Sequence, residues 1–325
     1  MAGDGTRESE SQSTLRDVGE FGLIDRIIAD VSAKRGVEVG PGDDAAVLTC
    51  PDERVVACVD VLVENRHFRR DWSSAIDVGR RAAAASLSDV NAMGAVSTAL
   101  LVGLVAPGDL PTVWLTEAAA GLKEEARSAG AELVGGDTTE GDAIVFSVTA
   151  LGNLEGRAPV TRGGAGEGDV VAVCGRLGWA AAGLAVLSRG FRSPKVLVDA
   201  HRFPEIDYTA GPRAAKAGAT AMIDVSDGLL ADLGHIAQAS GVAIDVDAGA
   251  IEIPEPLQAA ASAYNVDPRV WMLTGGDDHA LVALFPAKKM LPKGFVAIGT
   301  ARKGDGEVTV DGQPFEGTAG FTHFA

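Results

Sequence analysis

Residues 77–106, DVGRRAAAASLSDVNAMGAVSTALLVGLVA, decide how the chain is read. From Val90 to Gly108 there are 19 residues without a charge, which meets the length of a membrane span. The composition argues against that use. Asn91, Ser97 and Thr98 are polar, Pro107 lies near the end, and three glycines interrupt the run, whereas a spanning helix must be apolar throughout. The stretch reads instead as the end of a helix, a turn at Gly94 and a buried strand, TALLVGLVA (98–106). Ser73 or Ser74 is placed to cap the helix.

The pattern extends outward on both sides. Upstream, two β-rich runs, AAVLT (45–49) and RVVACVDV (54–61), flank a turn at Cys50-Pro51-Asp52-Glu53. Before them, Phe21 to Arg35 has apolar residues at helical spacing, and residues 1–17 form a polar tail expected to be flexible. Downstream come a helix over Thr112–Ala129, a short strand AELVGG (131–136) and the strongly β run AIVFSVTALG (143–152). Strand, strand, helix, strand, helix, strand, strand is satisfied by two helices packed on one face of a mixed sheet. The Gly-rich segment TRGGAGEGD (161–169) reads as the domain junction. A second α/β domain follows, with strands in DVVAVCG (169–175), AMIDVS (221–226), VAIDVD (242–247), HALVALF (279–285) and FVAIGT (295–300), and helices in GWAAAGLAVLSRG (178–190) and LLADLGHIAQAS (229–240). The expected organisation is α/β (α+β): a tail over 1–17, an N-terminal domain over 18–160 and a C-terminal domain over 161–325.

The whole composition agrees. A chain of 325 residues with 46% hydrophobic and 22% charged residues is an ordinary globular one, long enough for two cores. The formal net charge of −17 disfavours nucleic acid and anionic membranes as partners. Three cysteines without a Cys-x-x-Cys pair suit a reducing cytoplasm, and MAGDGTRESESQST lacks the apolar core of a signal peptide.

The acidic residues gather at turns, beside glycines and at the ends of apolar runs. These are Asp43 and Asp44, Asp60, Asp89, Asp137, Asp224 and Asp227, and Asp277 and Asp278. Asp60 lies late in a run that should be buried, where an unpaired carboxylate is costly. Asp89 sits near the C-terminal end of a helix, where the dipole disfavours negative charge. Asp224 closes a strand just before a helix, whose N-terminus favours phosphate; Ser226 or Asp227 can cap that helix. Carboxylates brought together must bind cations or protons, and clustered oxygen ligands suit Mg²⁺, particularly where it bridges phosphates. P-loop, Rossmann and protein-kinase signatures are absent, as is H-E-x-x-H. The residues by themselves point to an oxygen-ligated divalent-metal site suited to phosphoryl transfer.

Ten segments, in order along nearly the whole chain, carry a resemblance. They are GEFGLIDRI (19–27), GPGDDAAVL (40–48), VDVLVENRHF (59–68), SLSDVNAMGA (86–95), LVGGDTTEG (133–141), VTRGGAGEGD (160–169), AAGLAVL (181–187), IDVSDGLLADLGHIA (223–237), LTGGDDHAL (273–281) and GFTHF (320–324). Together they look like the thiamine-monophosphate kinases, part of a wider group resembling aminoimidazole-ribonucleotide synthetase and selenophosphate synthetase. The resemblance implies that group's two-domain fold and a homodimer through the N-terminal domains. It further implies ATP-dependent conversion of thiamine monophosphate to thiamine diphosphate by direct in-line transfer with several Mg²⁺ ions.

Position by position, Asp44, Asp60, Asp89, Asp137, Asp224 and Asp227 match magnesium ligands, with Val59 contributing a carbonyl. Asp60, Asp137 and Asp227 are the catalytic expectations. Gly136, Asp137, Arg162 and Ser226 match ATP contacts, and His67, Asp277 and Phe321 match the thiamine-phosphate site. Cys58-Val59 replaces a common Ser-Thr, so a hydroxyl ligand at 58 is lost and Cys58 is left out. Asp277 replaces a common Glu; physics alone does not separate it from Asp278, and the resemblance favours Asp277.

Other readings are another ATP-using enzyme of the group and a non-catalytic acidic metal-binding module. A selenophosphate synthetase would want a reactive Cys near the N-terminus, and none precedes Cys50. A hydrogenase-maturation relative would want a C-terminal Cys, where this sequence reads HFA. The binding module gives no reason for GGDTT, VTRGGA and DVSDG to occur together.

Overall fold

Helix, turn and strand follow one another across the uncharged stretch. The helix ends at Ala92, Gly94 turns with φ 75°, and the strand begins at Val96. Among the described residues no helix is long and apolar enough to cross a membrane. The structure is a computed structural model and describes residues 13–29, 36–41 and 45–321. Contacts divide the chain into two compact units, Met1–Leu87 with Ser97–Asn153, and Ser88–Val96 with Leu154–Ala325.

The first unit opens with α1 (Leu15–Ile28), followed by β1 (Val37–Val39), β2 (Val47–Leu48) and β3 (Val56–Val63). Next come α2 (Ala75–Ala92), β4 (Val96–Ala106), α3 (Thr112–Ser128), β5 (Glu132–Glu140) and β6 (Val145–Asn153). The first helix starts earlier than its apolar periodicity suggests, because Thr14 and Asp17 form a capping box. Gly19, at φ 69°, kinks it. Residues 30–35, expected to continue this helix, and 1–12, expected in the tail, lie outside the described residues.

β1 and β2 pair antiparallel, and the main sheet runs β3-β6-β4-β5. β3 and β6 are antiparallel; β4 and β5, joined through α3, are parallel. Ser74 starts α2 as expected: Asp77 N–H donates to Ser74 Oγ (3.3 Å), and Ser74 N–H donates to Asp77 Oδ2 (2.9 Å). A Cβ on Gly79 would meet the Ala118 carbonyl at 1.8 Å, and one on Gly121 the Ile76 carbonyl at 2.1 Å. The two helices therefore pack backbone to backbone. Their contact also buries Glu125, which accepts from Arg80 Nε at 2.9 Å. Leu87, Leu100, Leu115, Leu122 and Ile144 fill the core.

The second unit contains β7 (Val170–Cys174), α4 (Trp179–Ser188), α5 (Lys195–Arg202), α6 (Ala210–Ala217), β8 (Ala221–Asp224) and α7 (Leu229–Ser240). It continues with β9 (Ala243–Val246), α8 (Glu255–Tyr264), α9 (Pro268–Thr274), β10 (Leu281–Phe285), β11 (Val296–Arg302), β12 (Val308–Val310) and β13 (Gln313–Pro314). Its sheet runs β13-β12-β9-β11-β7-β10-β8 and is mixed, β12 pairing parallel to β9. β8, β9 and β10 are buried at every position, so β8 is covered although it ends the sheet, whereas the central β11 is exposed at four of its seven positions. Phe285 and Phe295 meet edge to face in its core, 5.6 Å between centroids. α5, α6, α8 and α9 are additions to the elements read from the sequence.

Candidate active site

In the first unit, the pleat of β3 sorts its side chains. Cys58, Asp60 and Leu62 turn toward α2, while Val59 and Val61 are 59% and 51% exposed on the other face. Ser86 of α2 lies against both Asp60 Oδ2 (2.9 Å) and the Val148 carbonyl (2.8 Å). The Cys58 thiol donates to the Ser86 carbonyl at 3.1 Å. Asp89 stands one turn beyond Ser86 on the same helix. Cys58 Sγ and one carboxylate oxygen of Asp60 lie within 4.8 Å of each other. The Asp60 carboxylate, carried on a strand, offers hard oxygen suited to a divalent cation. The Cys58 sulfur was set aside from sequence, yet it borders this group.

Asp137 lies on β5, opposite Gly103, and is exposed; its Oδ1 accepts from Thr138 N–H at 2.9 Å. Gly136 was expected to let a nucleotide approach. A Cβ there would lie 2.2 Å from the Val102 carbonyl, so packing against β4 demands glycine with or without a nucleotide. His67 ends a turn after β3, and its Nδ1 accepts from Val63 N–H at 2.9 Å. Asp44 lies outside the described residues.

In the second unit, segments distant in sequence converge. Asp277 N–H donates to the Ser226 carbonyl (2.9 Å), and Phe321 N–H donates to the Asp227 carbonyl (2.9 Å). Gly276 and Gly228 permit this: a Cβ on Gly276 would meet the Ser226 carbonyl at 2.1 Å, and one on Gly228 the Thr274 carbonyl at 2.6 Å. The loops after β8 and before β10 and the segment at Gly320–Phe321 therefore form one surface. Asp227 is half-buried on it, while Ser226, Asp277 and Phe321 are exposed. Asp224, buried at the end of β8, accepts from Ser88 Oγ at 2.8 Å, and His279 Nδ1 lies 2.9 Å from the same oxygen. Burial alone would raise the Asp224 carboxyl; the bonds from His279 and Ser88 outweigh it and hold the group below its ordinary range. Arg162 is exposed, in a loop fixed where Ser240 Oγ donates to its carbonyl at 2.9 Å.

Two carboxylates hold this surface up. Asp232 Oδ2 accepts the backbone N–H groups of Ser226, Asp227 and Gly228, each at 3.1 Å. Burial pushes its pKa up to about 7. Asp278 accepts from Gly178 N–H (2.5 Å) and Ala180 N–H (2.9 Å), capping α4, and burial pushes it likewise up to about 7. The pair left open by the sequence differs in setting: Asp278 is buried and caps a helix, whereas Asp277 is exposed. Ser86, Ser88, Asp232 and His279 were not singled out from sequence. Asp232 alone carried a local signal, an acid in the first turn of a helix.

The arrangement has close counterparts. The N-terminal domain of AIR synthase related proteins matches residues 42–154, and the corresponding C-terminal domain matches 166–305. Thiamine-monophosphate kinase of Mycobacterium tuberculosis is 47% identical over 96% of this chain and 93% of its own length. The chain belongs to the thiamine-monophosphate kinase family. The family member of Corynebacterium glutamicum is 41% identical over 92% of the chain and 91% of its own length. The crystal structure of thiamine monophosphate kinase from Aquifex aeolicus superimposes with a TM-score of 0.77 at 31% identity, over 94% of this chain and 100% of that one. A structure of AaThiL complexed with AMPPCP and TMP gives 0.79 at 33%, over 96% and 99%. The hydrogenase maturation protein HypE of E. coli shares the fold, with a TM-score of 0.71 at 18% identity.

Proposed function

We propose that the chain transfers the terminal phosphoryl group of ATP to the phosphate of thiamine monophosphate, giving thiamine diphosphate and ADP. The observation that carries this reading is the likeness, over nearly its whole length, to a kinase complexed with AMPPCP, an ATP analogue, and TMP. An oxygen of the thiamine phosphate forms a bond to the γ-phosphorus while the bond to the β–γ bridging oxygen breaks. The electron pair of that bond leaves with ADP. Transfer is direct and in line, and positioning with charge neutralisation supplies most of the rate.

Asp44, Asp60, Asp89, Asp137, Asp224 and Asp227, with the Val59 carbonyl, would hold several magnesium ions. When bound, these neutralise phosphate charge that a protein of net charge −17 would otherwise repel. Carboxylates dominate the donor set, which favours Mg²⁺ over a softer metal. Gly136, Asp137, Arg162 and Ser226 face ATP, Arg162 offering a planar fork to phosphate oxygens. His67, Asp277 and Phe321 face thiamine monophosphate, the acid and the ring suiting the cationic thiazolium. Asp227 orients the attacking phosphate. The working unit is a homodimer joined through the open face of the first sheet, where Val59 and Val61 are exposed. Cys50, Cys58 and Cys174 are free thiols, in keeping with a cytoplasmic enzyme.

The test is formation of thiamine diphosphate from purified chain, ATP, Mg²⁺ and thiamine monophosphate, with aminoimidazole precursors and selenide as rival acceptors. Turnover of a rival in preference to thiamine monophosphate would overturn the reading. Asp60→Asn is expected to lower kcat at least about 100-fold, the scale of losing one electrostatic group at the reacting centre. Circular dichroism and the melting temperature should stay at wild-type values. Near-normal kcat at saturating Mg²⁺ would remove Asp60 from the site.

A further inference from the structure

Ser88 Oγ, His279 Nδ1 and Asp224 Oδ2 form a closed triangle with sides of 2.8, 3.0 and 2.9 Å. All three residues are buried. The serine hydroxyl has one proton, and it goes to Asp224 Oδ2. An ionised carboxylate only accepts. The His279 nitrogen facing both oxygens must therefore carry a proton at Nδ1, so Oδ2 receives two donors.

The backbone is shaped to deliver this ring. His279 has φ 50°, a left-handed conformation uncommon for a residue with a side chain. Its N–H donates to the Val225 carbonyl at 2.9 Å, and Val225 N–H donates to the Ala280 carbonyl at 2.8 Å. The peptide units next to Asp224 and His279 are thus tied to each other, which sets the position from which the imidazole reaches Oδ2.

We propose that His279 is a positioning residue, which fixes the Asp224 carboxylate through Oδ2 so that its other oxygen is presented to a divalent cation. This rests on the reading of Asp224 as a magnesium ligand. Groups that orient a metal-binding side chain typically change affinity or activity about 10–100-fold when removed.

The test is Mn²⁺ alone, titrated into the full chain without nucleotide and followed by electron paramagnetic resonance. His279→Ala is expected to weaken the tightest Mn²⁺ binding at least about 10-fold. His279→Asn keeps an N–H donor near the Nδ1 position and should recover most of the loss. His279→Leu, which fills the space without a donor, carries the test if His279→Ala does not fold. Asp224→Asn is the reference and should lose that binding. Wild-type Mn²⁺ affinity in His279→Ala or His279→Leu, with binding lost in Asp224→Asn, overturns the proposal while leaving Asp224 a ligand. Equal weakening in His279→Asn and His279→Leu overturns it too, because the donor is then not what matters. Unchanged binding in Asp224→Asn overturns the reading of Asp224 itself, and the proposal with it.

Discussion

His67 commits one ring nitrogen to its own chain. Nδ1 accepts from Val63 N–H at 2.9 Å, so the neutral ring carries its proton on Nε2. In that state Nε2 is a donor. That rules out proton abstraction by neutral His67 and suits a phosphate oxygen. His67→Ala is therefore expected to raise KM for thiamine monophosphate at least about 5-fold, the loss of roughly 1 kcal/mol typical of a hydrogen bond. KM for ATP should stay within about 2-fold, a difference too small to reflect a lost contact. His67→Gln keeps a donor and should lie between. Equal increases in both constants would mean that the turn at 64–67 has lost its shape.

At the scale of an element, α4 depends on a carboxylate from far along the chain. Asp278 caps its first turn through Gly178 and Ala180 N–H groups, across a separation of 100 residues. Burial raises this carboxyl to about 7, so the folded protein holds a proton there that the unfolded chain releases near pH 4. Between about pH 4 and 7 the unfolded state binds fewer protons, and this group's contribution to stability falls as pH rises. Below that window both states are protonated, and above it both are ionised. Asp278→Asn keeps one acceptor and turns an amide N–H toward the other backbone donor. It is expected to destabilise by about 1–3 kcal/mol and to flatten the decline in melting temperature from pH 5 to 7. Thermal melts across that range check both. An unchanged slope would mean that Asp278 is ionised throughout.

The same helix shows what was legible in advance and what was not. α2, β4, α3, β6 and α4 were readable because their apolar period or β-branched runs are long. α5, α6, α8 and α9 are seven to ten residues each, too short for periodicity to stand out from the loops around them. The acids at turns could be named by type and by resemblance. Their division of labour could not, because it is set by partners that only folding brings near. Asp278 meets Gly178, Ser88 meets His279, and Asp232 gathers three N–H groups. Gly136 shows the converse, since a residue matched to a nucleotide contact is also fixed by the neighbouring strand.

At the scale of the whole molecule, charge and an open sheet face set the expectations. A protein of net charge −17 resists self-association unless an apolar surface outweighs the repulsion. The face bearing Val59 and Val61 supplies such a surface. If the proposed dimer forms through this face, Val59→Lys combined with Val61→Lys is expected to convert it to monomer, read by light scattering during size-exclusion chromatography. Each side chain is already largely exposed in the single chain, so the monomer's fold should survive. A dimer that persists in the double variant would place the interface elsewhere.

Phe321 returns to the loop that follows β8 and gives its N–H to the Asp227 carbonyl, with the residue 62% exposed. Phe321 is proposed to face thiamine monophosphate, so the expected cost of losing it falls on that substrate rather than on the core. Limited digestion with a carboxypeptidase should thus silence the kinase long before it loosens the protein, leaving a species that melts like the intact enzyme and no longer recognises its vitamin.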